Sequence, residues 1–270
     1  MVAPGKGLEM SYQLITLEFE GNYATITMNN PQRRNALSLQ HMEELTDAFR
    51  RVGESDALGV TLAANGPAFS AGHDFADMVG QDLPAMRKLL HVCTTLMETI
   101  QEIPQPVLAR IHAIATAAGC QLVATCDLAV ASTEASFCTP GGKGGWFCTT
   151  PMVAVSRAIG RKHALEMLLT GEPITAQTAA AWGLINRVVP PYLLVEESQR
   201  LLEAATCGSF LSKGIGKQAY YVQIDLPQEQ AYKYAMEVMA AASQIPDAQE
   251  GMQAFLEKRH PHFAPPSRNQ

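Results

Sequence analysis

Residues 106–137 read PVLARIHAIATAAGCQLVATCDLAVASTEASF, and this stretch decides the fold. It contains an apolar strand, a turn of small residues, the start of a helix over 120–125 and a second apolar strand. The turn over 115–121 lets a ligand approach its N–H groups, because each additional Cβ would hold that ligand away. Free N–H groups at the start of a helix favour a carbonyl oxygen or an oxyanion. Tight packing of the helix on the sheet explains the small residues equally well at this point.

The composition is that of a globular protein. The chain has 270 residues and a net charge of −6, from 20 Lys+Arg and 26 Asp+Glu, which argues against nucleic acid as its main partner. No apolar run approaches the roughly 20 residues of a membrane-spanning helix, and residues 1–13 lack the apolar block of a secretory signal. We therefore expect a cytoplasmic protein without a membrane span. The six cysteines form no CxxC pair, so neither a disulfide nor a metal site is expected.

Strands and helices alternate along the first half of the chain. Two antiparallel strands are predicted over 14–19 and 23–28, and Ser38 is a plausible N-cap for the helix that follows. A strand over 59–64 leads into a second turn of small residues, FSAGHD at 69–74. The alternation predicts βαβ units and a largely parallel sheet.

The second half of the sequence is mostly helical. Helical patterns follow one another after residue 145, and the last of them, over 228–259, contains no strand. We predict a core domain over 11–200 and a C-terminal helical region over 201–263. That region has little core of its own, so we expect it to pack on the core or on a neighbouring subunit.

Two turns of small residues, each after a strand and before a helix, can bring two backbone N–H groups to one point, which is the geometry of an oxyanion hole. The chain resembles the crotonase superfamily of enoyl-CoA hydratases and isomerases. The resemblance covers residues 14–263 and follows the family's motifs in order: an opening loop at 30–37, the two turns at 69–74 and 106–131, a helical stretch at 157–190 and a terminal helix at 250–259. It implies an α/β fold of the ClpP/crotonase type, a ββα spiral core with a C-terminal helical region.

The resemblance also implies roles for individual residues. The N–H groups of His73 and Ala118 would polarise the carbonyl of a bound acyl-CoA thioester, and Gly119 and Trp146 would line the substrate pocket. The residues implied in CoA contacts are Arg33 or Arg34 at a phosphate, Ala36, Ala71, Asp74 and Phe75 along adenine and pantetheine, and Phe255 and Lys258 reaching from an adjacent subunit. A solvated loop explains the arginines equally well, and an ordinary amphipathic helix explains the terminal pair.

The family further implies a homotrimer or a dimer of trimers, a role in fatty acid metabolism, and lyase or isomerase chemistry. The ligand would be a coenzyme A thioester, with no tightly bound cofactor. No metal or redox cofactor is indicated.

The sequence departs from the family's hydratases at both catalytic carboxylates. Gln121 and Gly141 stand where those enzymes carry glutamates. A carboxylate can take and return a proton, whereas a carboxamide only donates and accepts hydrogen bonds. The groups that we considered as replacements are the His73 ring, Asp77, His91, Cys138 and Cys148, all of which have simpler structural explanations.

Two classes of function therefore remain open. The first is an enzyme that stabilises a thioester enolate through backbone donors, by hydration, isomerisation, decarboxylation or thioester cleavage, and that is not an efficient hydratase. The second is a non-catalytic acyl-CoA binding or assembly protein that retains the fold.

Overall fold

Residues 12–264 are the part of the chain that this computed structural model describes, and the predicted domain start at residue 11 lies outside them. The strands are β1 (Ile15–Glu20), β2 (Tyr23–Met28), β3 (Gly59–Ala64), β4 (Val107–Ile111), β5 (Ala115–Thr116), β6 (Leu128–Ser132), β7 (Ser136–Cys138), β8 (Ile174–Thr175) and β9 (Arg187–Val189). The helices are α1 (Leu39–Glu54), α2 (Leu83–Glu102), α3 (Ala118–Thr125), α4 (Thr149–Ala158), α5 (Arg161–Thr170), α6 (Ala176–Trp182), α7 (Leu194–Thr206), α8 (Phe210–Gln223), α9 (Gln228–Ala242) and α10 (Pro246–Glu257).

The main sheet has six strands in the order β1-β2-β3-β4-β6-β9. Its first pair, β1 and β2, is the predicted antiparallel hairpin, and the four later pairings are parallel. Successive parallel strands need crossover connections, which the intervening helices supply. The carboxyl ends of β3 and β4 therefore lie side by side, and both turns of small residues follow these ends.

The sheet is covered by helices on both faces. Helices α1 and α2 pack together, and α1 also packs on β1 and β2, so the largest cluster of buried apolar side chains lies on this side. Helix α7 covers β3, β4 and β6 on the other face, where Leu194 and Leu202 bury Leu108 and Val130. Burial on both faces explains why the parallel strands are continuously apolar rather than alternating.

A small second sheet holds the turn over 115–121 in place. It has the order β5-β7-β8, with β5 and β7 parallel and β7 and β8 antiparallel. The helix after the turn begins at Ala118, two residues before the predicted start, because the small residues of the turn already adopt helical geometry.

The C-terminal helices are attached to the core through a buried ion pair. Lys217 of α8 lies 2.7 Å from Asp127, and Tyr221 donates a hydrogen bond of 2.7 Å to the same carboxylate. Helix α7 spans the predicted division at residue 200 and packs on the sheet, so it is structurally part of the core. The division itself stays a prediction. No helix within residues 12–264 is long and apolar enough to cross a membrane.

Candidate active site

The two turns of small residues are in direct contact. Gly72 has φ +81°, and a Cβ added to it would lie 2.9 Å from the Ala117 Cβ and 3.2 Å from the Ala118 nitrogen. A Cβ added to Gly119 would lie 2.5 Å from the Ser70 carbonyl oxygen, closer than real Cβ contacts allow. Glycine at 72 and 119 therefore permits the first turn to lie against the start of α3, which brings the His73 and Ala118 regions together.

Backbone hydrogen bonds fix the contact. The Thr116 N–H donates to the Ser70 carbonyl at 3.0 Å, and the Ala117 N–H donates to the Cys138 carbonyl at 2.9 Å. Ala118 is the first residue of α3, where an N–H has no partner inside the helix. Among residues 12–264, neither the Ala118 N–H nor the His73 N–H donates to another backbone or side-chain group. Two uncommitted donors therefore stand at the junction of the turns.

Ala117 has an unusual backbone conformation for a residue with a side chain. Its φ is +50° and its ψ is −118°, a region that glycine enters at much lower cost. Such a conformation costs of order 1–3 kcal/mol and persists only where its surroundings impose it. The hydrogen bonds that the Thr116 and Ala117 N–H groups donate impose this conformation, and it sets the direction of the Ala118 N–H.

The His73 imidazole is the polar side chain at this junction. Burial lowers the pKa of His73, and the nearby Leu37 carbonyl, which lies outside hydrogen-bonding geometry, offsets part of that effect. Within the described chain, neither ring nitrogen has a hydrogen-bond partner. The Trp146 ring is tilted at 47° to the imidazole, with the two ring centres 6.4 Å apart. The predicted pocket residue Trp146 is thus brought beside the predicted donor His73.

Gln121, the first position predicted to lack a glutamate, has its side chain next to another helix. Gln121 is buried in α3, and its Oε1 lies 4.0 Å from the Cys93 Sγ of α2. Gln121 also lies on the wall of a cavity of about 510 Å³ between α2, α3, α4 and α8. Burial raises the pKa of Cys93 to about 12, so this thiol stays protonated and gives the carboxamide only a weak donor.

Gly141, the second position predicted to lack a glutamate, has no room for a side chain. A Cβ added to Gly141 would lie 2.2 Å from the Trp146 carbonyl oxygen and 2.8 Å from the Cys148 Sγ. The Gly141 carbonyl accepts the Trp146 N–H at 2.9 Å, and the Gly141 N–H donates to Cys148 at 3.3 Å. Residues 140–148 thus form a closed turn around Gly141.

The residues predicted to contact CoA differ in their exposure and in whether they already bind another residue of the chain. The Arg33 guanidinium donates to both carboxylate oxygens of Asp74, at 2.6 and 2.8 Å, so the two predicted contacts bind each other. Ala36 is buried and Ala71 is half-buried near them, while Phe75 is exposed. The Arg34 guanidinium makes no ion pair with any described residue, which leaves it available to an anion.

Phe255 and Lys258 lie at the exposed C-terminal end of α10. Phe255 is 82% exposed, and Lys258 has φ +57° directly after the helix. Helix α10 packs on α8 of the same chain. In a single chain these two side chains face outward, which is compatible with a contact to another subunit.

The structure gives structural roles to the other candidates for proton transfer. Asp77 accepts the Leu39 N–H at 2.7 Å and thereby caps α1, while His91 is exposed on α2. Burial raises the pKa of Cys138 and of Cys148, which disfavours their thiolates. No group of three or more metal-ligating side chains occurs between residues 12 and 264.

One polar residue of this region was missed by the sequence analysis. Thr139 is fully buried, and its hydroxyl finds no partner in the described part of the chain. It directly follows β7, whose last residue accepts the Ala117 N–H. Its position directly before the glycine-rich stretch over 140–145 was the available indication.

The fold and the two turns in contact are those of a crotonase-type protein. The sequence pattern of the enoyl-CoA hydratase/isomerase family matches residues 18–266, and the chain belongs to this family. It is 42% identical over 257 residues to rat (Rattus norvegicus) enoyl-CoA hydratase domain-containing protein 3, covering 94% of this chain and 86% of the relative.

Solved structures confirm the fold. An enoyl-CoA hydratase from Mycobacterium smegmatis is 44% identical with a TM-score of 0.90, over 93% of this chain and 98% of that one. Human enoyl-CoA hydratase domain-containing protein 3 is 39% identical with a TM-score of 0.89, over 93% of this chain and all 100% of that one. The predictions of the family and the fold class are therefore confirmed.

The expected cytoplasmic location is wrong. The relatives from rat, Danio rerio and Homo sapiens, each 42% identical to this chain, are named mitochondrial proteins. They point to mitochondria rather than the cytoplasm. Composition did not separate the two, because globular proteins of both compartments share a similar balance of apolar and charged residues.

Proposed function

We propose that this protein binds acyl-CoA thioesters, holds the thioester carbonyl with the N–H groups of His73 and Ala118, and so stabilises a thioester enolate. The observation that carries the proposal is the contact of the two turns, where a Cβ on Gly72 would lie 3.2 Å from the Ala118 nitrogen. Amide donors fixed in this way stabilise developing negative charge strongly, because they need no reorientation during the reaction.

Efficient hydration is not part of the proposal. Adding water to an enoyl thioester requires one group that takes a proton from water and one that delivers a proton to the α-carbon. The Gln121 carboxamide is neither acid nor base at neutral pH, and Gly141 has no space for a side chain. We therefore expect hydration far below an ordinary enzyme rate of roughly 1–10³ s⁻¹.

Other reactions of acyl-CoA thioesters need fewer protein groups. In a decarboxylation, the breaking C–C bond leaves its electron pair on the substrate as carbon dioxide departs, so the enolate forms without a base. Isomerisation needs a proton carrier, and thioester cleavage needs an activated nucleophile. Decarboxylation is thus the enolate chemistry that depends least on the absent carboxylates.

A non-catalytic acyl-CoA binding or assembly protein is the second candidate. The closed turn at Gly141 favours it, because the Trp146 carbonyl and Cys148 occupy the space of a catalytic side chain. This candidate shares the proposed CoA site and differs only in turnover.

The proposed CoA contacts divide into two groups. Within one chain, Arg34 is the proposed phosphate ligand, and Arg33 reaches the anion only by releasing Asp74, with Ala36, Ala71 and Phe75 along adenine and pantetheine. Phe255 and Lys258 are proposed to act from an adjacent subunit of a homotrimer or dimer of trimers, consistent with their exposure.

Crotonyl-CoA tests the proposal by two measurements. Calorimetry reports binding, and loss of the enoyl-thioester absorbance reports hydration. We expect binding with negligible hydration, and a gain of about 10²-fold in hydration for Gln121→Glu, at the lower end of what one acid-base group contributes. Gly141→Glu is unsuitable because its side chain would collide with the Trp146 carbonyl.

Gln230→Glu is the matched control, because it makes the same change on the exposed surface of α9. Absence of crotonyl-CoA binding would contradict the acyl-CoA site. Hydration at an ordinary enzyme rate by the natural protein would contradict the proposal that Gln121 and Gly141 do not support efficient hydration.

A further inference from the structure

The opening loop over 30–37 is joined to the rest of the site by Asn35. This residue is fully buried, and each of its polar groups has a hydrogen-bond partner. Its Oδ1 accepts the Asn30 N–H at 2.9 Å. Its Nδ2 donates to the Asn65 carbonyl at 2.8 Å and to the Ala68 carbonyl at 2.9 Å. The side chain thus ties the loop to the segment that leads from β3 into the first turn of small residues.

The backbone around Asn35 contacts the first turn directly. The Asn35 carbonyl accepts the Ser70 hydroxyl at 2.8 Å. The carbonyl of the preceding residue, Arg34, accepts the Ala71 N–H at 3.0 Å. Residues 70 and 71 are therefore held against the opening loop immediately before the donor residue His73.

Leu37 extends this contact past His73. The Leu37 N–H donates to the Gly72 carbonyl at 2.7 Å, and the Leu37 carbonyl accepts the Asp74 N–H at 3.2 Å. This is the pattern of a parallel bridge between Leu37 and His73, in which the groups of the two residues beside His73 point to Leu37 and those of His73 point to the opposite side. The His73 N–H therefore points away from the opening loop, as the proposed oxyanion donor requires.

The same residue governs the conformation of Arg34. Arg34 and Asn35 are consecutive residues in the left-handed region, with φ +52° and +51°. Asparagine tolerates this region better than most residues with a side chain, whereas arginine enters it only where the surroundings impose it. The hydrogen bonds of Asn35 impose it here, and they leave the Arg34 side chain exposed at the surface.

We propose that Asn35 is a positioning residue that fixes the two ends of the acyl-CoA site relative to each other. One end is the His73 N–H, which holds the thioester carbonyl, and the other is Arg34, which binds a CoA phosphate. This inference rests on the proposed function. A ligand that uses both ends gains affinity because the protein has already ordered them before binding.

Calorimetry with crotonyl-CoA and crotonyl-pantetheine tests the proposal, because the pantetheine thioester lacks the phosphates. Asn35→Gly removes the three side-chain hydrogen bonds and keeps a residue that enters the left-handed region at low cost. We expect this variant to bind crotonyl-pantetheine about tenfold more weakly, through the His73 end alone. Crotonyl-CoA should bind about 10²-fold more weakly, because both ends are disturbed.

Asn186→Gly is the matched control. The Asn186 Oδ1 accepts the Ala129 N–H at 2.7 Å where β6 meets β9, away from both turns. We expect urea unfolding to show a loss of stability in this variant, while the affinities for both thioesters stay those of the natural protein. The comparison separates positioning from stability, because a folded protein that is merely less stable binds as before.

Asn35→Asp provides a conservative rescue. It keeps the acceptor for the Asn30 N–H and loses both donors. An ionised carboxylate would face the Asn65 and Ala68 carbonyl oxygens unfavourably, whereas a protonated carboxyl group donates to one of them. We expect its affinity for crotonyl-CoA, relative to the natural protein at the same pH, to recover in part from about pH 8 to about pH 6. This variant carries the comparison if Asn35→Gly does not fold.

Hydrogen exchange measures the link without a ligand. The Ala71 and Leu37 N–H groups, which bond across the contact, should exchange at least about tenfold faster in Asn35→Gly than in the natural protein. Unchanged exchange and affinities in a folded Asn35→Gly variant, or an equal loss of affinity in Asn186→Gly, would overturn the inference and leave the acyl-CoA site standing. If the natural protein binds neither thioester, the proposed function itself is wrong and the inference falls with it.

Discussion

Glycine 119 illustrates how a single residue is constrained by a contact outside its own helix. Alanine is the better residue within a helix, yet a Cβ at 119 would lie 2.5 Å from the Ser70 carbonyl oxygen. We expect Gly119→Ala to lower the free energy of unfolding by about 1–3 kcal/mol, the usual cost of overpacking. Urea unfolding measures this change.

Gly216 is the matched control for that substitution. It lies in α8, and a Cβ added there would have no atom within 4 Å. Gly216→Ala should therefore raise the free energy of unfolding by up to about 1 kcal/mol. If both alanine variants were more stable than the natural protein, the first turn and α3 would not be in close contact.

At the scale of single elements, the first turn of α3 carries the proposed function. Ala118 is its first residue, a position where proline fits a helix and removes only the N–H group. We expect Ala118→Pro to weaken acyl-CoA binding about tenfold, the upper end for one hydrogen bond, and to lower any turnover about 10²–10³-fold. Calorimetry and turnover assays measure these effects.

Arg161→Pro provides the comparison, because Arg161 is the exposed first residue of α5. Circular dichroism and urea unfolding must show that both variants fold, since Ala117 before the substituted residue has a restricted conformation. Unchanged binding in a folded Ala118→Pro variant would remove Ala118 from the proposed oxyanion site.

Elements with a local pattern were predictable from the sequence. The hairpin follows from alternation around Glu20-Gly21-Asn22, and Ser38 caps α1 as expected, accepting the His41 N–H at 3.2 Å. Both turns of the candidate site were also recognisable, because each is a run of small residues between a predicted strand and a predicted helix. Their mutual contact followed from the parallel order of β3 and β4.

The rest of the site depends on contacts between distant parts of the chain. The pairing of Arg33 with Asp74 joins residues 41 positions apart, and Asp77 caps α1 across 38 positions. No periodicity in either segment indicates these partners. The four glycines within residues 141–145 suggest a mobile loop in the sequence, whereas the turn at Gly141 is closed by the Cys148 and Trp146 contacts.

At the scale of the whole molecule, the C-terminal helices depend on the core for their stability. Asp127 accepts hydrogen bonds from Tyr221 and from the Val107 N–H and pairs with Lys217, which also donates to two backbone carbonyls near the end of α2. A buried charge stripped of its partner is strongly unfavourable, so separation of α8 from the sheet is costly. The core and the C-terminal region are therefore expected to unfold together.

Two histidines, the buried His41 and the half-buried His73, make that cooperative stability depend on pH. Burial lowers the pKa of His41 and of His73, while in the unfolded chain both titrate near about 6.5. Below that pH the unfolded chain binds protons that the folded chain excludes, so the free energy of unfolding decreases as the pH falls. The contribution of each histidine to the free energy of unfolding is complete above about pH 6.5. It is lost progressively as the pH falls to the pKa of that ring in the folded chain, by at most about 1.4 kcal/mol per pH unit for each histidine.

Urea unfolding between about pH 7.5 and 5.5, at one protein concentration, measures this dependence. His41→Gln removes one of the two titrations, because glutamine has no proton to gain in this range, and its side chain retains a donor for the Ala36 carbonyl that His41 contacts at 3.0 Å. We expect this variant to be less stable at every pH, yet to lose less stability than the natural protein as the pH falls. An unchanged slope in His41→Gln would mean that His41 does not titrate differently in the folded and unfolded states, and that His73 and the carboxylates set the acid sensitivity of the molecule.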